Sequence, residues 1–254
     1  MKHAASKYEV AALTWDQVKE RLQAGAVAIL PIGAGAKEHG LHMPMATDQV
    51  FAEYFSRALA ERIDALIWPT LTYGFYPAFT AYAGSVSLSR KPFAVVVKEI
   101  VDDLLGFGAS RVLVLDTGLS TIAPVEAAIG ASRDPSLVRH LKVFAGPRFE
   151  ETVRALQQQS YGSHADEMET SLMLAIAPEL VDMTRAEACL FRASEPARGP
   201  LSPDDPSAAN YSPSGSFGDP TLASREKGLP LLAAILADMV EAASEPKQTG
   251  RADE

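Results

Sequence analysis

Residues 37–48, K-E-H-G-L-H-M-P-M-A-T-D, gather Lys37, Glu38, His39, His42 and Asp48 into one short segment, with two of the chain's five histidines. Imidazole and carboxylate groups this dense suit a divalent metal site or an acid–base site. Gly40 and Pro44 allow a turn that folds His39 and Asp48 onto one point. Asp48 alone reads equally well as a helix cap; the whole cluster does not. A second segment, Asp116-Thr117-Gly118-Leu119-Ser120-Thr121, is small and polar, and an ordinary strand-to-helix turn is its simplest reading. A third, His164-Ala165-Asp166-Glu167-Met168-Glu169-Thr170-Ser171, leads into an apolar run. At helical spacing His164, Glu167 and Ser171 share a face, with Ser163 as a candidate cap. Acidic residues are favourable in a first helical turn, but a charged histidine is not.

The elements around these segments alternate. Val27-Ala28-Ile29-Leu30-Pro31-Ile32-Gly33 reads as a buried strand just before the first cluster, and a helix over 48–63 follows it. Thr14 and Gln17 form a capping-box pattern that opens an earlier helix to about Ala24. Strands are expected at 65–68, 112–115 and 141–144. Further helices are expected at 92–107, 122–132, 148–158, 164–177 and 229–243, the last beginning near Pro230. This alternation predicts an α/β fold, a central parallel-rich sheet between helical layers. Ligands in such folds bind at the carboxyl ends of the strands. Residues 194–220 hold six prolines among serines and glycines, and read either as a surface excursion or as a lid or subunit-contact arm. One domain is expected over 1–243, with a polar tail at 244–254.

Composition narrows the function. The chain has 254 residues, 47% hydrophobic and 22% charged, and a net charge of −9. That balance argues against nucleic acid or an anionic membrane as partner. Cys189 is the single cysteine, which excludes an intramolecular disulfide and a cysteine-rich zinc cluster. There is no apolar leader and no run long enough to span a bilayer, so a cytoplasmic protein is expected.

Taken together, the three segments resemble the creatininase family of amidohydrolases. The match runs through Leu30-Pro31-Ile32-Gly33, His39-Gly40, His42, Pro44 and Asp48. It continues through Tyr73-Gly74, Gly84-Ser85-Val86-Ser87-Leu88, His164 to Ser171, and Gly218-Asp219-Pro220 with Ala223 and Gly228. The resemblance implies a three-layer α/β/α sandwich, a homo-oligomer that is often a hexamer, and a metal-dependent hydrolase of amide or cyclic amide C–N bonds. Family members open creatinine, deformylate a pyrimidine precursor or trim a cofactor-precursor peptide, usually with two metals. Here Lys37 stands where the family has a metal-binding Glu, and Gly118 where it has a metal-binding His. The resemblance therefore implies one divalent ion (Zn²⁺, Mn²⁺ or Fe²⁺) on His39, Asp48 and Glu167. His164 is then the acid–base residue, Lys37 stabilises an oxyanion, and Asp116, Ser120, Tyr73 and Glu169 contact a small-molecule substrate. The competing expectation is a metal-free relative that binds a small ligand or works through Lys37 and His164.

Overall fold

The computed structural model describes residues 7–189 and 199–244. Four parallel strands form one sheet: β1 (Ala28–Ile32), β2 (Leu66–Ile67), β3 (Val112–Asp116) and β4 (Val138–Lys142), in the order β2-β1-β3-β4. Chain direction across the sheet reverses between β1 and β3. The crevice at their carboxyl ends is where an open α/β sheet places a ligand.

Alternation along the strands explains the layers. Ile29, Leu113 and Leu115 face one side, against Phe51, Phe55 and Leu59 of α2 (Thr47–Ile63), Leu172 of α6 (Glu167–Ile176), and Leu231 and Ile235 of α7 (Arg225–Ser244). Leu30, Ile32, Val112 and Val114 face the other. They meet Leu22 of α1 (Trp15–Gln23), Phe93, Val97 and Val101 of α3 (Arg90–Gly106), and Val125 of α4 (Ile122–Gly130). Strands covered on both faces carry unbroken apolar runs, as these do. The result is the expected three-layer α/β/α sandwich. Gln17 accepts the Thr14 backbone N–H at 2.9 Å, as the capping-box pattern predicts. No helix among the described residues is long and apolar enough to cross a membrane.

Three boundaries differ from expectation, each for a local reason. β4 begins at Val138 rather than 141, because Asp134 caps the turn Pro135–Leu137 and pairing starts at once, Val112 to Val138. β4 is an edge strand whose second and third residues, Arg139 and His140, are polar and only half-buried, so its start lacks the apolar signature. α6 begins at Glu167, not 164, because Asp166 is the cap and accepts the Met168 and Glu169 N–H groups. His164 therefore lies in an extended segment bridged to Phe217, and shares no helical face with Glu167 and Ser171. α7 starts at Arg225, ahead of Pro230. The polar tail expected from 244 falls, beyond Ser244, outside the described residues, as do 194–198 of the proline-rich segment. The remainder of that segment is exposed over much of 204–209 but anchored at both sides of that stretch. Leu201 N–H bonds Ala78 O, Tyr82 Oη bonds Ser212 O, and Phe217 pairs with His164, so it forms one wall over the strand ends.

Candidate metal and acid–base site

The chain leaves β1 through Gly33, where a Cβ would lie 2.4 Å from Asp48 O. Only glycine lets the first turn of α2 approach this closely. Asp48 sits in that turn, fully buried, and makes no capping bond. Its carboxylate instead takes two partners: Lys37 Nζ lies 2.7 Å from Oδ2, and His39 Nε2 lies 3.1 Å from Oδ1. His39 Nδ1 lies 3.2 Å from Lys37 O. Burial alone would raise the Asp48 carboxyl pKa. The Lys37 and His39 charges outweigh it and hold the group well below the ordinary carboxylate range. The Lys37 ammonium is itself buried, 4.7 Å from the Phe79 ring centre.

His164 stands beside this pair, its ring centre 4.8 Å from that of His39. Its Nε2 lies 3.0 Å from Glu38 Oε2, and its Nδ1 3.7 Å from Glu169 Oε2. Glu169 Oε2 also accepts the Ala165 N–H at 2.6 Å. Ala165 adopts φ +46°, a left-handed conformation unusual for alanine, directly after His164. Burial would lower the His164 pKa; the Glu38 carboxylate more than offsets this, so the net shift is upward. Glu38 in turn fits only because Gly215 lacks a Cβ, which would otherwise collide with its carboxylate.

His39, His164 and Glu169 offer donor atoms that all lie within 4.8 Å of one another. Two imidazoles and a carboxylate are a donor set that zinc, manganese and iron accept, so these residues fit a divalent cation. Glu167, expected as a ligand, is committed elsewhere. Its oxygens accept the N–H groups of Gln158 and Gln159 (2.9 and 2.7 Å) and the Lys227 ammonium. The helix start at Asp166 turns Glu169, rather than Glu167, toward the histidines. Asp48, the other expected carboxylate, is held by Lys37 and His39 and lies outside this group.

A cavity of about 620 Å³ opens over Lys37, His164 and Glu169, and Ser120 lines it as expected. Two expected substrate contacts do not. Asp116 is buried; its Oδ1 accepts Gly118 N–H (3.0 Å) and Thr121 Oγ1–H (2.7 Å), and its Oδ2 lies 3.0 Å from His140 Nε2. That carboxylate builds the turn after β3. Tyr73 points outward, 54% exposed; Tyr76, three residues on and buried, lines the cavity instead. Glu38 and Tyr76 are the residues that spacing alone did not single out. Glu38 lay inside the first cluster, but nothing in the sequence linked it to His164.

A creatinine amidohydrolase of Pseudomonas putida is 29% identical, over 93% of this chain and 96% of that protein. A mycofactocin precursor peptide peptidase of Mycobacterium ulcerans (strain Agy99) is 28% identical, over 84% of this chain and 82% of that protein. Among solved structures, a mutant creatininase superposes with a TM-score of 0.80 at 26% identity, covering 93% of this chain and 97% of that one. A manganese creatininase gives 0.77 at 27%, with the same coverage. The family model for creatininase, creatinine amidohydrolase, matches residues 11–243. With the fold and nearly the whole chain matched together, this protein belongs to the creatininase family.

Proposed function

We propose that this protein hydrolyses an amide C–N bond of a small molecule with one divalent cation per chain, held by His39, His164 and Glu169. The observation that carries this reading is the convergence of those three side chains beside the Lys37–Asp48 pair, with His164 and Glu169 lining the cavity. When bound, such a cation polarises a carbonyl and lowers the pKa of a water. The protein's own groups supply the rest. Glu38 fixes the His164 ring through Nε2 and leaves Nδ1 facing Glu169. The Lys37 ammonium, anchored on Asp48, places a positive charge where a carbonyl oxygen gains negative charge. Phe79 packs against both His164 and Lys37 and shields one side of each.

A second cation has no comparable place among the described residues. It would share Asp48 with the Lys37 ammonium and find Gly118, which offers no side-chain donor. A divalent cation and an ammonium about 4 Å apart repel by about 8 kcal/mol at an effective dielectric of 20.

One observation favours a metal-free alternative: both His39 nitrogens already have hydrogen-bond partners. In that reading Glu38 orients His164, whose Nδ1 carries the proton for the leaving nitrogen. Elemental analysis of protein purified without chelator separates the two readings, together with amide hydrolysis assays before and after EDTA. About one equivalent, lost in His39→Ala and Glu169→Gln but retained in His42→Gln and Glu167→Gln, is the expected result. Two tightly held equivalents would overturn the single-ion reading. None after dialysis against Zn²⁺ or Mn²⁺, with hydrolysis intact, would favour the metal-free one.

A further inference from the structure

We infer that the substrate amide carries a bulky apolar group, aryl or branched alkyl, that seats against one wall of the cavity. This rests on the hydrolase reading above and deepens it. The cavity, about 620 Å³, lies within the roughly 300–1,000 Å³ typical of sites for drug-sized ligands. Its wall is apolar and drawn from separate elements: Leu119 from the β3–α4 connection, Phe144 beyond β4, Phe149 and Val153 on α5 (Pro147–Leu156), Met168 on α6, and Leu201. Phe149 and Val153 are one helical turn apart and so share a face. The Phe144 and Phe149 rings lie 6.1 Å apart. Leu119 is 60% exposed at the cavity, and water-exposed apolar area of this kind gains when a ligand covers it.

This wall is continuous with Lys37, His164 and Glu169, which line the same cavity. A molecule whose amide meets those groups has its substituent directed along apolar side chains. Along the apolar wall charge gives no competing signal: Asp166, which also lines the cavity, is spent on Gln159 and on the Met168 and Glu169 N–H groups. The exposed Glu150 and Arg154 of α5, which also line the cavity, cancel. The wall therefore selects apolar area rather than an anion or a cation.

Calorimetric binding of acetamide, phenylacetamide and 4-phenylbutyramide to the full-length protein tests this, with hydrolysis of the same amides followed separately. Phenylacetamide should bind on the order of tenfold or more tighter than acetamide, from burial of one ring. Leu119→Asp and Val153→Asp should each remove several-fold of that gain, read as the ratio of phenylacetamide to acetamide affinity in the same variant. Leu119→Asp lies on an exposed connection, so it keeps the test valid if Val153→Asp does not fold. Equal affinities across the series would overturn the inference, as would a folded Leu119→Asp that keeps the full gain. Amides that bind in the expected order but are never cleaved, with or without Zn²⁺ or Mn²⁺, would uphold the apolar wall and overturn the hydrolase reading. Cleavage without any preference for the apolar arm would do the reverse.

Discussion

At the scale of single residues the centre is a set of buried charges that satisfy one another. Lys37 and Asp48 are both nearly inaccessible and 2.7 Å apart. Removing one partner of such a pair strands the other charge, at a cost of about 3–5 kcal/mol. Lys37→Met should therefore destabilise the fold by that order in chemical denaturation. Adding Asp48→Asn to the same chain should recover most of the loss, because an amide needs no counter-charge. His42 supplies a pH prediction. It is buried with Nε2 2.8 Å from Thr170 Oγ1. Burial, reinforced by the nearby His39, pushes its pKa down to about 4 from 6.5. The unfolded chain then takes up this proton first as pH falls from 6.5 toward 4, so stability is present above 6.5 and is lost across that window. The contribution is on the order of 3 kcal/mol. A His42→Gln variant should show a flatter acid limb in melts between pH 4 and 6.5. An unchanged slope would mean that His42 is not held neutral in the fold.

At the scale of elements, close approach between backbones sets the geometry. α6 carries Glu169 and packs on α7, and the contact is tightest at Gly228, where a Cβ would lie 2.0 Å from Ser171 O. Gly228→Ala must push α7 away from α6, at roughly 1–3 kcal/mol by the usual cost of overpacking. Because α6 begins at the His164–Glu169 corner, the same substitution should weaken cation affinity as well as stability. A Gly228→Ala protein with a lowered melting temperature but unaltered affinity would show that the corner is positioned by β1 and residues 199–218 alone. Strand and helix identities, their order and the parallel sheet were legible in the sequence, because uninterrupted apolar runs and helical periodicity are local signals. The start of α6 was not. Asp166 and Ser163 are both competent caps, and the choice between them depends on the Phe217 strand that pairs with His164.

At the scale of the whole molecule, the candidate centre joins the loop after β1 to the corner before α6. A cation binding both should stabilise the fold by mass action, about 2.7 kcal/mol at a concentration one hundred times its Kd. For a chain of this size that corresponds to a rise in Tm of roughly 5–10 °C. Melts with Zn²⁺ or Mn²⁺ should show this rise in the native protein and in Glu167→Gln, but not in Glu169→Gln. A rise that survives Glu169→Gln would place the cation elsewhere.

The sequence by itself determined the α/β class, the strand-end location expected for a site, the single cysteine, and the presence of Lys37 and Gly118 where the family resemblance implies ligands. These follow from residue type, spacing and order along the chain. Tertiary structure decided which carboxylate serves which partner. Glu167 and Glu169 are two residues apart on one helix, and point to different neighbours because the cap fixes the helical phase. Glu167 meets Lys227 of α7 and the backbone at 158–159, while Glu169 meets His164. Asp116 looked like a substrate contact, yet closes its own turn against His140, a residue that adjoins it only through the β3–β4 pairing. Which atoms share a buried carboxylate is set by contacts between segments distant in sequence, and spacing along one segment carries no record of them.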